Sequence, residues 1–261
     1  MEAVLLSLST ALLMILMIKS AATLIGPDTI GWRRVPIAAI VLTAAAIAGV
    51  ILQHSWRGAY GALDDDPSKS GWWRVITAVF MQDTGIAGVL WNIVTLAIIV
   101  ALAEWFWGSL TAIIFFLLGA VAPSHIGSLL TTIHVLGAAH TQQSAADPRN
   151  FSGSSGATYF LAATVTGALL VQIGPLRDRN RLLALSVPVI GMLTWYTMTN
   201  AHGLVTTEGF VIGAVVFLLA HRLPNIQRDL RHQPHRTIGD IIPAARRTRR
   251  PISYAEPAAE S

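Results

Sequence analysis

Seven long apolar stretches dominate the hydrophobic pattern of this 261-residue chain. They cover about 3–25, 35–53, 85–104, 110–130, 155–174, 182–200 and 203–221, with more polar segments between most of them. An α-helix of roughly 20 apolar residues crosses a hydrocarbon core about 30 Å thick, and each stretch approaches that length. The pattern therefore predicts an all-α fold, a polytopic transmembrane bundle of seven helices.

The composition agrees with a membrane protein. Hydrophobic residues make up 53% of the chain and charged residues only 12%, an apolar balance that the surface of a water-soluble domain could hardly accommodate. The chain has no cysteine, which excludes disulfides, thiolate metal sites and a cysteine nucleophile. The net charge is +4, but the basic residues lie between and after apolar stretches, so they predict membrane orientation and no nucleic-acid partner.

Basic residues flank the apolar stretches unevenly. Two arginines follow the first stretch, three follow the fifth and eight follow the seventh, whereas the opposite side carries four basic residues. Lys and Arg concentrate on the cytoplasmic side of membrane proteins. We therefore expect the N-terminus outside, the C-terminus in the cytoplasm and the plasma membrane as the location. Residues 224–261 are rich in Arg, Pro and Ala and predict a disordered basic tail.

The start of the fifth stretch carries a candidate nucleophile. Ser155 lies in the sequence Gly153-Ser154-Ser155-Gly156, where small neighbours allow close backbone approach. The free N–H groups of a first helical turn can stabilise an oxyanion, and a histidine can activate the serine as a general base. Gly and Ser are also common packing residues in membrane helices, so this short match alone favours plain packing.

His202, at the start of the seventh stretch, is the candidate base. Stretches five and seven cross the membrane in the same direction, and Ser155 and His202 precede the next basic residue by similar distances. Their depths should therefore agree within one helical turn. Tyr159 lies one turn deeper than Ser155 on the same helix face, where its ring can pack against the imidazole or simply fill the core.

These residues resemble the rhomboid family of intramembrane serine proteases. The resemblance extends from about Trp73 to Gly213, and both the order and the spacing of the residues agree. The residues that carry it are, in chain order, Trp73, Arg74, Thr77, Phe80, Asn92, Glu104, Gly108, Gly153, Ser155, Gly156, Tyr159, Ala201, His202 and Gly209.

The resemblance implies a Ser155/His202 catalytic dyad, with Asn92 binding the oxyanion. It implies supporting roles for Gly153, Gly156, Tyr159, Trp73, Arg74 and Glu104. The family's six-helix core would span 35–223, preceded by an extra N-terminal helix and cytoplasmic loop in 1–34 and followed by the tail 224–261. The implied partners are the lipid bilayer and membrane proteins whose transmembrane or juxtamembrane segments are cleaved, and the implied chemistry needs no metal or organic cofactor.

The sequence departs from the family pattern at several positions. Gly88 stands where the family usually has a second oxyanion donor, a histidine four residues before the asparagine, and Gln82 or a neighbour replaces a further histidine. The last helix has two possible registers. If Gly209 is the second glycine of the family's pair, the catalytic position is His202; if it is the first, the position is Thr206. The depth argument favours His202.

Two other function classes stay open. The departures favour a noncatalytic rhomboid-like protein that binds client transmembrane helices and controls their trafficking or stability. A transporter is a weaker hypothesis, which rests on Asn92, Glu104 and Glu208 inside the bundle; we expect Glu208 to be a hydrogen-bonded, neutral carboxyl. His134 and His140 lie six residues apart and do not share a helix face, so the sequence predicts no metal site.

Overall fold

The chain folds into helices throughout the part that the structure describes. The structure, a computed structural model, describes residues 2–26, 30–31, 33–64, 71–82, 85–132, 153–172, 178–198 and 200–221. Within these ranges it contains nine helices and no β-strand. They are α1 (Glu2–Ile25), α2 (Ile37–Ser55), α3 (Ala59–Leu63), α4 (Arg74–Ala78), α5 (Ile86–Trp107), α6 (Ser109–Thr132), α7 (Ser155–Val171), α8 (Asp178–Met198) and α9 (Ala201–His221).

The seven long helices coincide with the seven predicted stretches. By length and composition, α1, α2, α5, α8 and α9 are each long and apolar enough to cross a membrane. The remaining two, α6 and α7, have shorter apolar parts at 109–121 and 155–171. The predicted all-α, polytopic helical bundle is therefore confirmed. The helix α6 continues past Pro123 to Thr132, and Pro188 lies inside α8.

The helix α7 is the centre of the bundle. Every residue from 157 to 169 is buried, and α7 packs against α1, α5, α6, α8 and α9. The surrounding helices present apolar stripes outward instead; on α5 the exposed stripe has a four-residue period and consists of Ile86, Leu90, Val94 and Ile98. Exposed apolar stripes around a buried central helix are typical of a bundle whose solvent is lipid.

Glycines allow α9 to approach α7 closely. A Cβ atom on Gly209 would overlap the carbonyl oxygen of Phe160, and one on Gly213 would overlap that of Thr164. On the opposite helix, a Cβ atom on Gly167 would overlap the carbonyl oxygen of Phe210. Small residues permit such backbone contact between membrane helices, and these three therefore fix the register of α7 against α9.

The helix α1 shares the core of the bundle. It packs against α5, α7 and α8, and its side chains Leu13, Met14 and Met17 are fully buried. The hydroxyl of Tyr159 in α7 donates a hydrogen bond to the carbonyl oxygen of Thr10, at 2.8 Å. The first helix therefore packs directly onto the central helix. The boundaries of the predicted units stay a prediction, and the tail 224–261 lies outside the described residues.

We expect Gly213→Ala to lower the thermal unfolding midpoint of the protein in detergent. The added methyl group would overlap the Thr164 carbonyl, and overpacking of this kind costs about 1–3 kcal/mol. Gly156→Ala is the matched control because a Cβ atom there meets nothing within 4 Å. Alanine has a higher helix propensity than glycine, so the control should unfold at the same or a higher temperature. Equal destabilisation of both variants, measured by circular dichroism, would contradict this packing.

Candidate active site

The beginnings of α7 and α9 meet through an aromatic contact. The rings of Tyr159 and His202 lie edge to face, with their centroids 4.7 Å apart and their planes at 63°. Of the two possibilities that the sequence leaves open for Tyr159, the contact with the imidazole is found, and the ring is buried as well. Because Ser155 is one turn before Tyr159 on the same face of α7, this contact brings the candidate base to the end of the helix that carries the candidate nucleophile.

The depth of His202 follows from the glycine contacts. Gly209 faces Phe160 and Gly213 faces Thr164, so the parallel helices keep the same offset over one turn. Seven residues before Gly209 and Phe160 lie His202 and Gly153. At 1.5 Å per residue, the backbone of His202 is therefore within about one turn of Ser155 in depth, as the sequence predicts.

Thr206 occupies a different environment from His202. Its side chain is fully buried, and its hydroxyl donates a hydrogen bond to the backbone carbonyl of His202 at 2.7 Å. This bond to the preceding turn is the usual way in which a threonine satisfies its hydroxyl inside a helix. Of the two registers that the sequence leaves open, the geometry favours the one that places His202 beside Tyr159.

Ser155 and His202 are both partly exposed, and no hydrogen bond among the described residues joins them. The imidazole Nδ1 lies 2.8 Å from the side-chain oxygen of Asn200. The other ring nitrogen, Nε2, has no hydrogen-bond partner in the described part of the chain and is not among the fully enclosed polar atoms. Within the described residues neither the Ser155 hydroxyl nor Nε2 is held by another hydrogen bond, and their catalytic roles stay a prediction.

Gly153 connects the start of α7 to the end of α4. Its N–H donates a hydrogen bond to the carbonyl oxygen of Ala78 at 2.9 Å. Its φ of 105° lies in the region that favours glycine, because a Cβ atom would be strained there. Gly156 is different: the space around it is open, and it keeps the surface next to Ser155 clear of side-chain atoms.

Asn92 belongs to a network of side-chain amides at the same end of the bundle. Its Nδ2 donates a hydrogen bond to Gln82 Oε1 at 2.8 Å, and Gln82 Nε2 donates to Ser154 Oγ at 3.4 Å. Gln53, near the end of α2, holds the backbone of Gln82 with two further hydrogen bonds, at 2.9 and 3.1 Å. The network fixes the Asn92 amide relative to the residue that precedes Ser155.

Only part of this network is predictable from the sequence. The comparison with the family pattern singles out Gln82 as a residue in place of an expected histidine, whereas nothing in that pattern indicates Gln53. The available signal was a polar side chain within the last turn of an apolar helix, which is costly in a membrane unless it finds a partner.

Glu104 has a structural position far from the dyad. It is fully buried, and its carboxylate accepts hydrogen bonds from the N–H of Ala39 in α2 and from the hydroxyl of Ser109 in α6, at 3.2 and 2.6 Å. Its backbone carbonyl also accepts a hydrogen bond from Arg34. Because Glu104 follows Asn92 by twelve residues of one helix, the two are about 18 Å apart along the axis. Glu104 therefore joins α2, α5 and α6.

The Trp73-Arg74 pair braces the segment between α2 and α5. The guanidinium of Arg74 lies over the Trp73 ring, 4.9 Å from its centroid, and pairs with the Asp64 carboxylate at 3.5 Å. The hydroxyl of Thr77 donates a hydrogen bond to the Leu63 carbonyl at 2.8 Å. These contacts tie α3 to α4, two short helices that the apolar pattern did not predict. The helix α4, which begins at Arg74, reaches the start of α7 through the bond between Ala78 and Gly153, and the supporting role of the pair stays a prediction.

Glu208 departs from expectation. Both of its carboxylate oxygens are buried, and neither has a hydrogen-bond partner among the described residues, so the expected hydrogen-bonded carboxyl is not found. In the same part of the chain, no three His, Cys, Asp or Glu side chains form a group that could hold a metal ion. His134 and His140 lie outside the described residues.

No protein-family model, curated protein or solved structure matches this chain. A functional interpretation therefore depends on the geometry of the site and on the sequence pattern that led to it.

We expect Glu104→Ala to destabilise the protein more than Ser109→Ala. The first change leaves the buried Ala39 N–H without an acceptor, at a cost of about 1–3 kcal/mol, and also removes the partner of the part-buried Ser109 hydroxyl. The second removes one donor and keeps the bond between Glu104 and Ala39. Thermal unfolding in detergent compares the two, and an equal loss would show that the carboxylate does not join the helices.

Proposed function

We propose that this chain is a rhomboid-like intramembrane serine endopeptidase that cleaves transmembrane or juxtamembrane segments of other membrane proteins. The contact between Tyr159 and His202 is the observation that carries the proposal. It places an imidazole with a free Nε2 at the end of the helix that begins with Ser155. Nucleophile, base and helix N-terminus are the components that acyl transfer to a serine needs.

Each residue has a defined role in this mechanism. Ser155 Oγ attacks the scissile carbonyl carbon as His202 Nε2 takes its proton, and a tetrahedral oxyanion forms. The proton then passes from His202 to the leaving amine as the peptide bond breaks, which leaves an acyl-enzyme. Water attacks that ester with His202 again as the base, and the second product leaves with a new carboxyl group while Ser155 regains its proton.

The oxyanion would be bound without the histidine that Gly88 replaces. The backbone N–H of Ser155 is in the first turn of α7 and has no partner within the helix. Asn92 Nδ2 carries two hydrogens; one is donated to Gln82, and the other stays available. One oxyanion donor contributes about 10²–10³ in rate, so two remaining donors support a slower but functional site.

The proposed setting is the plasma membrane, with the N-terminus outside and the C-terminus in the cytoplasm. In this orientation the dyad and the amides of Gln53, Gln82 and Asn92 lie toward the outer side. Polar side chains at that end supply a path for the water that the second step consumes. The proposed partners are the bilayer and the transmembrane helices of substrate proteins.

A second candidate function has its own support. No described hydrogen bond joins Ser155 to His202, and Asn92 is already bonded to Gln82. A noncatalytic rhomboid-like protein that binds client transmembrane helices needs neither an assembled dyad nor a free oxyanion donor. Covalent labelling of the serine distinguishes this helix-binding function from the protease.

Covalent labelling by a serine-directed fluorophosphonate tests the proposal. We expect one adduct on the intact detergent-purified protein, and its loss in Ser155→Ala and His202→Ala. Ser154→Ala and Thr206→Ala are matched controls that keep the label, because Ser154 Oγ is buried against Gln82 and the Thr206 hydroxyl is bonded within its helix. Cleavage of a single-span model substrate in liposomes should follow the same pattern.

The outcomes separate the two functions. A labelled Ser155→Ala variant would reject the assigned nucleophile, and a His202→Ala variant labelled at the native rate would reject the assigned base. A folded native protein that takes no label but captures transmembrane helices would replace the protease with the helix-binding function.

The proposed orientation has a separate test, which the absence of cysteine makes simple. Trp72 is 80% exposed in the segment between α2 and α5, so we expect Trp72→Cys to react with a membrane-impermeant maleimide on intact cells. Ser261→Cys should react only after permeabilisation. The reverse pattern would invert the topology and place the dyad on the cytoplasmic side.

A further inference from the structure

Asn200 contacts His202 in two places. Its side-chain oxygen lies 2.8 Å from the backbone nitrogen of His202 and 2.8 Å from the imidazole Nδ1. Asn200 directly precedes α9, so the first contact is an ordinary N-cap bond to the second residue of the helix. The second contact reaches the ring itself.

The first contact determines the chemistry of the second. A backbone N–H can only donate, so the Asn200 atom that faces it must be the carbonyl oxygen and not the amide nitrogen. An oxygen can only accept, so the Nδ1 beside it must carry a proton. A neutral imidazole has one proton on its two nitrogens, and Nε2 is therefore the nitrogen with the free lone pair.

We propose that Asn200 is a positioning residue that holds His202 in the Nδ1–H tautomer with Nε2 as the proton acceptor. The inference rests on the proposed protease function for its catalytic consequence, but the tautomer itself does not depend on that function. Tyr159 holds the imidazole by a ring contact that Asn200 does not share. The two neighbours together define both the plane of the ring and the nitrogen that faces away from Asn200.

The role in the N-cap must be separated from the role at the ring. Glycine is a tolerated N-cap and costs only a few tenths of a kcal/mol relative to asparagine, whereas it has no oxygen to offer Nδ1. Asn200→Gly therefore removes the ring contact with little loss of helix stability. Asn200→Asp keeps an oxygen acceptor at the same position and is the conservative rescue variant.

Imidazole ¹⁵N NMR of the intact protein in detergent micelles reads the tautomer directly. The chain has 8 histidines, and the His202→Ala spectrum identifies the His202 signals by their loss. At a pH where His202 is neutral, we expect a protonated Nδ1 and an unprotonated Nε2 in the native protein and in Asn200→Asp. Asn200→Gly should show a substantial fraction of the opposite tautomer.

Fluorophosphonate labelling of the same variants reads the catalytic consequence. We expect Asn200→Gly to slow labelling of Ser155 by about 10- to 100-fold, since a general base contributes roughly 10²–10⁴ and the wrong tautomer withholds the acceptor nitrogen. Asn200→Asp should restore at least most of the native rate. Thermal unfolding midpoints of all three proteins confirm that the comparison is made between folded samples.

The two measurements test the positioning role and the protease function separately. If Asn200→Gly keeps both the native tautomer and the native labelling rate, the inference is wrong. If the tautomer changes as expected but the native protein takes no label, the positioning role stands and the protease function fails. If the tautomer changes while a labelled native protein and Asn200→Gly react at equal rates, the catalytic consequence is rejected.

Discussion

The close backbone contact between α7 and α9 is the constraint on which the rest of the structure depends. The helix α7 is buried on every side, so its side chains all pack against neighbouring helices. The carbonyls of Phe160 and Thr164 leave no space for side chains on the facing glycines of α9. This contact fixes the relative depth of the two helices, and depth decides which side chains meet at their ends. The pairing of Tyr159 with His202 is thus a consequence of packing that occurs one to three turns deeper in the bundle.

The amide network at the same end of the bundle results from the need of polar side chains for hydrogen-bond partners. Polar side chains in a membrane bundle are costly unless they bond to each other, and Gln53, Gln82 and Asn92 do so in sequence from α2 to α5. The network also connects α2 and α5 to the start of α7, because Gln82 donates a hydrogen bond to Ser154, next to the candidate nucleophile. In the proposed site, which lacks a histidine at Gly88, this network would fix the remaining amide donor, Asn92. That donor is held in place by α2 as well as by its own helix.

The long helices were predictable from the sequence because each is specified locally, by about twenty apolar residues. The depth of Ser155 and His202 was predictable for the same reason, since the distance to the next basic residue measures position along one helix. The short helices α3 and α4 were not, because five residues carry no period. The contacts of Gln53 and Asn200 were missed for another reason. An amide near a helix end has many possible partners, and only the packed bundle selects one. Glu208 shows the reverse, a polar residue for which the described bundle supplies no hydrogen bond.

The missing bond between Ser155 and His202 is informative about how the dyad would assemble. Two neighbours hold the imidazole, so rotation of the ring would break the contact with Asn200 and disturb that with Tyr159. The Ser155 side chain has one rotatable bond before its hydroxyl and no bond to His202 to break. Staggered rotamers of a serine differ little in energy, and catalytic hydrogen bonds are often formed only when substrate is bound. Closure of the dyad would therefore be a rotation of the nucleophile toward a base that is already in position. In the proposed mechanism, a fixed base and a rotatable nucleophile would keep the serine unactivated until a substrate carbonyl occupied the open space beside Gly156.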